Sequence, residues 1–490
     1  MDKWGIHVAP VSSMDIITWL SVLPPLLTIA IAIWSKKIIP SLLIGLLAGS
    51  YFLHPTVTGG FETAVDQIVK TLTDKGNLQV LLFLYLFSGL IALIKKSGGI
   101  KAFSDIAEKH IESKKGVFFT LWALIPVTFI DCGFRVVGAG SITRSLAEKN
   151  KIASERLAFM LNNTASPVVE LIPIATTFVG FNVAIITQGL KAAGVAENNS
   201  AYSVLLKSIP FEFFSIVVIA ITFLSIFFQF KKSDKKQEHH AEKAKSKMDM
   251  DMSMDDDKPV LIPRVINLIV PMLSVILLSV FFFWFFGKNK SNNPSFISAI
   301  TNTEPNRAML VSLFISIIIS GIFYFIQKYD LKKMTADIIS GGNEIMTTLA
   351  ILAIAWPLAA VSQDLGLSSF IKQQLGNSLP AWSAPVSLFL LSSAVTYFIG
   401  SGWGAASLIM PFAIPLAVSV GSNIPLCVAA VITGGTFGDV TSPVAGMTNM
   451  SSNIAHADHT KYITYASPYN FISAGIAAGL FLIAGFFYHQ

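Results

Sequence analysis

Long apolar runs separated by short polar segments fill most of this chain. They fall at about 15–34, 38–54, 77–94, 168–188, 208–230, 263–286, 308–326, 344–362 and 470–488. A helix needs about 20 mainly apolar residues to cross a bilayer, so the pattern predicts a series of membrane-spanning helices. Two further stretches, 116–143 and 384–419, are apolar but interrupted, and 153–167 and 424–455 are mixed. Composition agrees with this reading. Apolar residues make up 53% of the 490, charged residues only 13%, and the mean hydropathy is +0.64. A water-soluble domain carries about 25% charged residues, so a single soluble core is excluded. The fold class expected is an all-α polytopic membrane protein.

The longest polar stretch, 231–262, divides the chain almost in half. Its first part is basic, which places it in the cytoplasm. The organisation that follows is an N-terminal tail at 1–14, a first transmembrane half at 15–230, a charged cytoplasmic linker at 231–262 and a second transmembrane half at 263–490. If 116–143 and 384–419 are re-entrant hairpins, 25 of the 35 Lys and Arg fall on the cytoplasmic side, as the positive-inside bias requires. The two hairpins then enter from opposite faces. Each arm of about 14–17 residues would reach roughly 21–25 Å, past the bilayer middle but not across it. Val127-Thr128-Phe129 precedes the first polar tip and Val395-Thr396-Tyr397 the second. Downstream, Ala165-Ser166-Pro167-Val168 matches Thr441-Ser442-Pro443-Val444 in the same order. These matches predict two inverted repeats with re-entrant hairpins and discontinuous transmembrane helices.

Other features add less. Residues 1–14 are polar and of mixed charge, so no cleavable signal is expected there. Cys132 and Cys427 form neither a metal spacing nor a disulfide framework. The net charge of +6 belongs to basic cytoplasmic loops rather than to nucleic-acid binding.

Proline supplies no backbone donor and disrupts the turn before it. A Ser-Pro inside an apolar segment therefore frees carbonyls that only protein or a water-lined cavity can satisfy. Transporters bind substrates and coupling ions where such discontinuous helices meet. Four breaks are expected to converge here: 131–135, 162–167, 400–404 and 439–443. Asp131, Arg135, Glu170 and Asp439 are the main ionisable residues in these stretches, and intramembrane charges are functional by default. Asn162, Asn163, Thr164, Ser166, Ser401, Trp403, Thr441, Ser442, Thr448 and Asn449 complete the candidate site. They offer oxygen ligands for a hard cation such as Na⁺, or hydrogen bonds to a polar solute. Asp439, Thr441 and Ser442 form the candidate Na⁺ site. Structural roles stand beside these. Asp131 and Arg135 are spaced to pair across one turn, Glu170 to cap a half-helix, and Trp403 to pack a hairpin. His456 and His459 read as a solvated loop, and His239-His240 with the Met/Asp run 248–257 as a solvated linker.

The run from Gly434 to Pro443, Gly-Gly-Thr-Phe-Gly-Asp-Val-Thr-Ser-Pro, is followed by Thr448 and by Ser451-Ser452. It resembles the signature of NhaC-type sodium/proton antiporters, Gly-x-Phe-Gly-Asp-x-x-Ser-Pro with a later Thr and a Ser-Ser pair. The tip Gly400-Ser401-Gly402-Trp403-Gly404 is similar to the family's Gly-Thr-Ser-Trp-Gly. The stretch from Lys151 to Pro167 is similar to a family segment ending Thr-Ala-Ala-Pro-Val. The likeness runs from about 80 to 470. It implies membership of the ion-transporter superfamily, whose members carry Na⁺, H⁺, dicarboxylates or amino acids through paired hairpins. The first tip departs from the pattern. Where the family has Asp-Asp-Tyr-Ala-Asn, this chain has Asp131-Cys132-Gly133-Phe134-Arg135, so a fixed cation replaces a neutral ligand.

The resemblance implies a secondary transporter exchanging Na⁺ for H⁺ by alternating access, with Asp439 and Asp131 as the exchangeable carboxylates. The alternative is an H⁺- or Na⁺-coupled carrier of a small organic acid or amino acid, its carboxylate held by Arg135, since arginine is a good bidentate partner for that group. Nothing resembles a nucleotide loop, a catalytic metal spacing or a nucleophile motif, so an enzyme is not expected. No cofactor is expected beyond the coupling ions Na⁺ and H⁺. The expected partners are the lipid bilayer and a small ion or organic solute, not nucleic acid, and the sequence allows a homodimer. The expected location is the plasma or inner membrane.

Overall fold

The computed structural model of the protein describes residues 20–111, 113–196, 200–228, 261–288, 295–296, 299, 303–376 and 379–488. The tail at 1–14 and nearly all of the linker at 231–262, with His239-His240 and the Met/Asp run, lie outside the described residues. Among the described residues the fold is all helical.

The first half contains α1 (Leu23–Ser35), α2 (Ile38–Leu53), α3 (Gly59–Leu72), α4 (Lys75–Lys96), α5 (Gly99–His110), α6 (Lys114–Ala123), α7 (Ile125–Thr128), α8 (Cys132–Lys149), α9 (Ser154–Asn163), α10 (Ser166–Glu170), α11 (Thr177–Ala192), α12 (Ala201–Ser208) and α13 (Phe213–Leu224). The second contains α14 (Ile266–Gly287), α15 (Pro305–Ile326), α16 (Leu331–Glu344), α17 (Met346–Asp364), α18 (Leu367–Phe370), α19 (Ala384–Ile399), α20 (Gly402–Val420), α21 (Ile424–Thr441), α22 (Gly446–Ile454) and α23 (His459–Phe487). Among the described residues eight helices are long and apolar enough to cross a membrane, or nine if α12 and α13 are one bent span. This is a multi-pass membrane protein.

Several runs end differently from the expectation. The run 168–188 is not one helix: α10 stops at Glu170 and α11 starts only at Thr177, with Pro173 between them. The run 208–230 is the second limb of a span bent by 43° at Glu212. The bend follows Pro210, which sits in a 3₁₀ turn at Ile209–Phe211 and has no amide proton to give. The run 15–34 begins outside the described residues, and its described part is the 13-residue α1. The arms of the second hairpin are also longer than expected. Ala381–Ile399 and Gly402–Val420 each have 19 residues, about 28 Å of helix.

Burial divides these helices into two kinds. In α14, α15 and α23 only 33% of the most apolar window is buried. Leu277, Phe281, Phe314, Ile322 and Phe486 stand on their outer surfaces, an apolar belt suited to lipid. In α21 the figure is 89%, and every residue from Leu426 to Thr441 is buried. Helix α21 is thus the central post, packed between α19 and α20. Its glycines permit the close approach, as small residues do between membrane helices. A Cβ on Gly434 would lie 2.6 Å from Ser392 Cβ, and one on Gly438 would collide with Thr396.

Candidate functional site

The second hairpin turns at two residues. Gly400 ends α19 in the left-handed region (φ 77°), which glycine adopts without the usual steric penalty. A side chain there would also meet the Val444 carbonyl at 2.6 Å. Ser401 then caps α20, its hydroxyl accepting the Gly404 amide at 3.1 Å. The first free amide of α20, on Gly402, donates to Asp439 Oδ1 at 2.9 Å. Oriented amides and the helix dipole favour an anion at this end. A Cβ on Gly402 would sit within 3.0 Å of both Asp439 oxygens, so only glycine admits the carboxylate.

Asp439 is 8% exposed and lies in the last turn of α21. Its Oδ2 accepts from Ser166 Oγ at 3.5 Å, so the carboxylate joins the break of the first half to the tip of the second. Among the described residues no Lys, Arg or His forms an ion pair with it. One turn earlier on α21, Thr436 Oγ1 donates to Glu170 Oε2. Ser215 Oγ donates to the same oxygen at 3.4 Å. Between Glu170 and Asp439 lies a cavity of about 10 Å³, lined also by Thr436, Gly402, Trp403 and Asn182, the scale of one water or ion. Trp403 closes it, stacked on Phe181 at 4.6 Å and edge-on to Phe178 at 5.4 Å.

The first hairpin is built from different contacts. Asp131 caps α8, accepting the Phe134 amide at 2.9 Å, and also accepts Thr177 Oγ1 at 2.9 Å. It does not pair with Arg135. That guanidinium is fully buried and donates to the Thr164 carbonyl, to Thr164 Oγ1 and Thr128 Oγ1 at 2.9 Å each, and to the Leu121 carbonyl at 3.3 Å. All four acceptors are neutral, and among the described residues no carboxylate forms an ion pair with Arg135.

Many of the other candidate ligands repair the breaks. The Val440 carbonyl accepts from Asn470 Nδ2 at 2.8 Å and from Asn162 Nδ2 at 3.4 Å. Asn162 also donates to Tyr462 at 2.7 Å, and Asn163 to Asn470 at 2.8 Å. Ser442 Oγ donates to the Tyr397 carbonyl at 2.6 Å, and Thr448 Oγ1 to the Ser442 carbonyl at 2.8 Å. Asn449 is exposed and donates to the Ala445 carbonyl at 2.9 Å. Thr441 Oγ1 is buried without a partner. Of the three candidate Na⁺ ligands, Asp439 and Ser442 hydrogen-bond different neighbours. His459 is not merely solvated: it bridges Ser452 Oγ at 3.0 Å and the Pro443 carbonyl at 2.8 Å. His456 lies 3.1 Å from Arg144 Nη1. The sequence reading missed Thr436, Ser215, Tyr462 and Asn470. Thr436, three residues before Asp439 on one helix, was the one signalled by spacing.

A family model described as the Na⁺/H⁺ antiporter family matches residues 168–486. The chain belongs to that family. An uncharacterised protein of Haemophilus influenzae (strain ATCC 51907 / DSM 11121 / KW20 / Rd) is 26% identical over 479 residues, 96% of this chain and 91% of that one. An uncharacterised Na⁺/H⁺ antiporter of the same strain is 27% identical over 106 residues, 21% of this chain and 22% of that one. Two solved structures share the fold. Neisseria gonorrhoeae MtrF, described among antimetabolite efflux pumps, superposes with a TM-score of 0.60 at 16% identity, covering 96% of this chain and 97% of that one. The Alcanivorax borkumensis YdaH transporter, described as having an unusual topology, gives 0.55 at 14% identity, covering 96% and 98%. This antiporter-family chain is a membrane transporter.

Proposed function

We propose that the protein exchanges Na⁺ for H⁺ by alternating access, at a site centred on Asp439. The observation that carries this is a buried carboxylate with no basic partner among the described residues. It is held between the α20 N-terminus and Ser166 and opens on a cavity of about 10 Å³. A carboxylate so placed takes either a proton or a cation, one at a time, which is the elementary requirement of exchange. Glu170, Thr436 and Trp403 line the path to it. The two halves act as inverted repeats, the hairpin-bearing units moving against a scaffold, with the linker 231–262 in the cytoplasm.

A second reading, coupled transport of an organic solute, draws support from the likeness to MtrF, whose description names antimetabolite efflux. Arg135 does not serve that reading well, because its donors are already given to Thr164, Thr128 and Leu121. The test uses purified protein in liposomes holding a pH-sensitive dye. An imposed Na⁺ gradient drives proton movement in the wild type and not in Asp439→Asn. If Na⁺ moves no protons while an added carboxylate or amino acid does, the exchange reading is wrong.

A further inference from the structure

Glu212 was not among the residues singled out in the sequence, yet it occupies a further discontinuity of the first half. It sits at the 43° bend between Ala201–Phe211 and α13. It is fully buried, and neither carboxylate oxygen has a hydrogen-bond partner. It does not cap its own helix. Three residues on, Ser215 Oγ donates to Glu170 at 3.4 Å, and residues three apart share a helix face. Helix α10, which ends in Glu170, packs against α13, which Glu212 heads. On α21, Thr436 donates to Glu170, and Asp439 follows one turn further along. Among the described residues no Lys, Arg or His makes an ion pair with either glutamate.

Two buried carboxyl groups on packed helices are each either protonated or balanced by a cation, since buried ions without a counter-charge are strongly disfavoured. The groups gathered here are two carboxylates and two hydroxyls, an all-oxygen set of the kind that holds hard cations. They stand at a helix discontinuity, where transporters bind coupling ions. Glu170 also lines the cavity that reaches Asp439. We propose that Glu170 and Glu212, with the hydroxyls of Ser215 and Thr436, form a second binding position for one Na⁺, separate from Asp439. Its part in transport rests on the exchange reading above; its occupancy does not.

The test is Na⁺-dependent thermal stabilisation of the purified full-length protein in nanodiscs, with choline replacing Na⁺ as control. Asp439→Asn should keep a saturable Na⁺ response. Adding Glu212→Gln to it should abolish that response, and adding Ser215→Ala should raise the half-saturating Na⁺ concentration about ten-fold. If Glu212→Gln fails to fold, Ser215→Ala carries the test. Loss of all Na⁺ response in Asp439→Asn alone overturns the second position, as does an unchanged response after Glu212→Gln. If Glu212→Gln removes proton uptake on acidification but leaves Na⁺ stabilisation intact, the pair holds a proton and the Na⁺ assignment falls. If Asp439→Asn matches wild type while Glu212→Gln loses everything, the second position stands and the Asp439 reading fails. A wild type indifferent to Na⁺ overturns both.

Discussion

The two hairpins begin alike and end in opposite chemistry. In each, a polar residue at the tip caps the second arm: Asp131 accepts from Phe134, and Ser401 accepts from Gly404. In each, a threonine lies just before the tip and a Ser-Pro break follows later. At the first hairpin the interior is occupied by Arg135, a tethered cation surrounded by two carbonyls and two hydroxyls. At the second, four residues past the cap, stands Ala405, fully buried, and the charge comes from a carboxylate instead. Asn163, three residues before Ser166, has as its counterpart Asp439, three residues before Ser442. One hairpin thus encloses its own positive charge, and the other is met at its tip by the Asp439 carboxylate of α21, beside a small cavity. The difference teaches that one scaffold holds a buried cation at one hairpin and a buried carboxylate against the other, according to which residue stands at each of the matching positions.

The largest effect should come from Asp439→Asn. Exchange should fall on the order of 100-fold or more, measured as dye-reported proton flux, with the melting temperature close to wild type. Arg135→Met should do the reverse. It strands the carbonyls of Leu121 and Thr164 in the interior and should cost about 3 kcal/mol of stability. Thermal unfolding in nanodiscs checks this, and the surviving folded fraction should keep the wild-type half-saturating Na⁺ concentration. Gly438→Ala drives a methyl into Thr396 and should cost about 1–3 kcal/mol, with exchange reduced because α19 and α21 carry the Asp439 geometry. Asp131→Ala removes a cap and the acceptor of the Thr177 hydroxyl and should cost about 1–2 kcal/mol. A loss of exchange as deep as that of Asp439→Asn would show that the first tip is an exchange site as well.

Much of this contrast was legible in the chain. The apolar runs marked the helices, because lipid demands uninterrupted internal hydrogen bonding. The Gly-Asp and Ser-Pro signals marked the second site, because Gly402 and Gly438 are needed for close approach. What the sequence did not reveal was how the freed carbonyls are satisfied. Asn162, Ser442 and Thr448 read as ion ligands, yet they bond the main chain around the breaks. Tyr462, the partner of Asn162, and Asn470, the partner of Asn163, lie on α23, and Tyr462 falls before the apolar run that marked that helix. Arg135 entered the sequence only as a partner for Asp131 or, in the alternative function, for a substrate carboxylate; its acceptors at Leu121, Thr128 and Thr164 come from separate segments that no local pattern joins. Glu212 stayed hidden because a single acid after Ile-Pro-Phe resembles a loop at the edge of a span, and its burial is a property of packing alone.

The most direct test of the central claim is uptake of radiolabelled Na⁺ into proteoliposomes driven by an imposed pH gradient, with wild type, Asp439→Asn and Asp131→Asn side by side. The account predicts concentrative uptake by the wild type and by Asp131→Asn, and none by Asp439→Asn. Uptake by Asp439→Asn at the wild-type rate would contradict it.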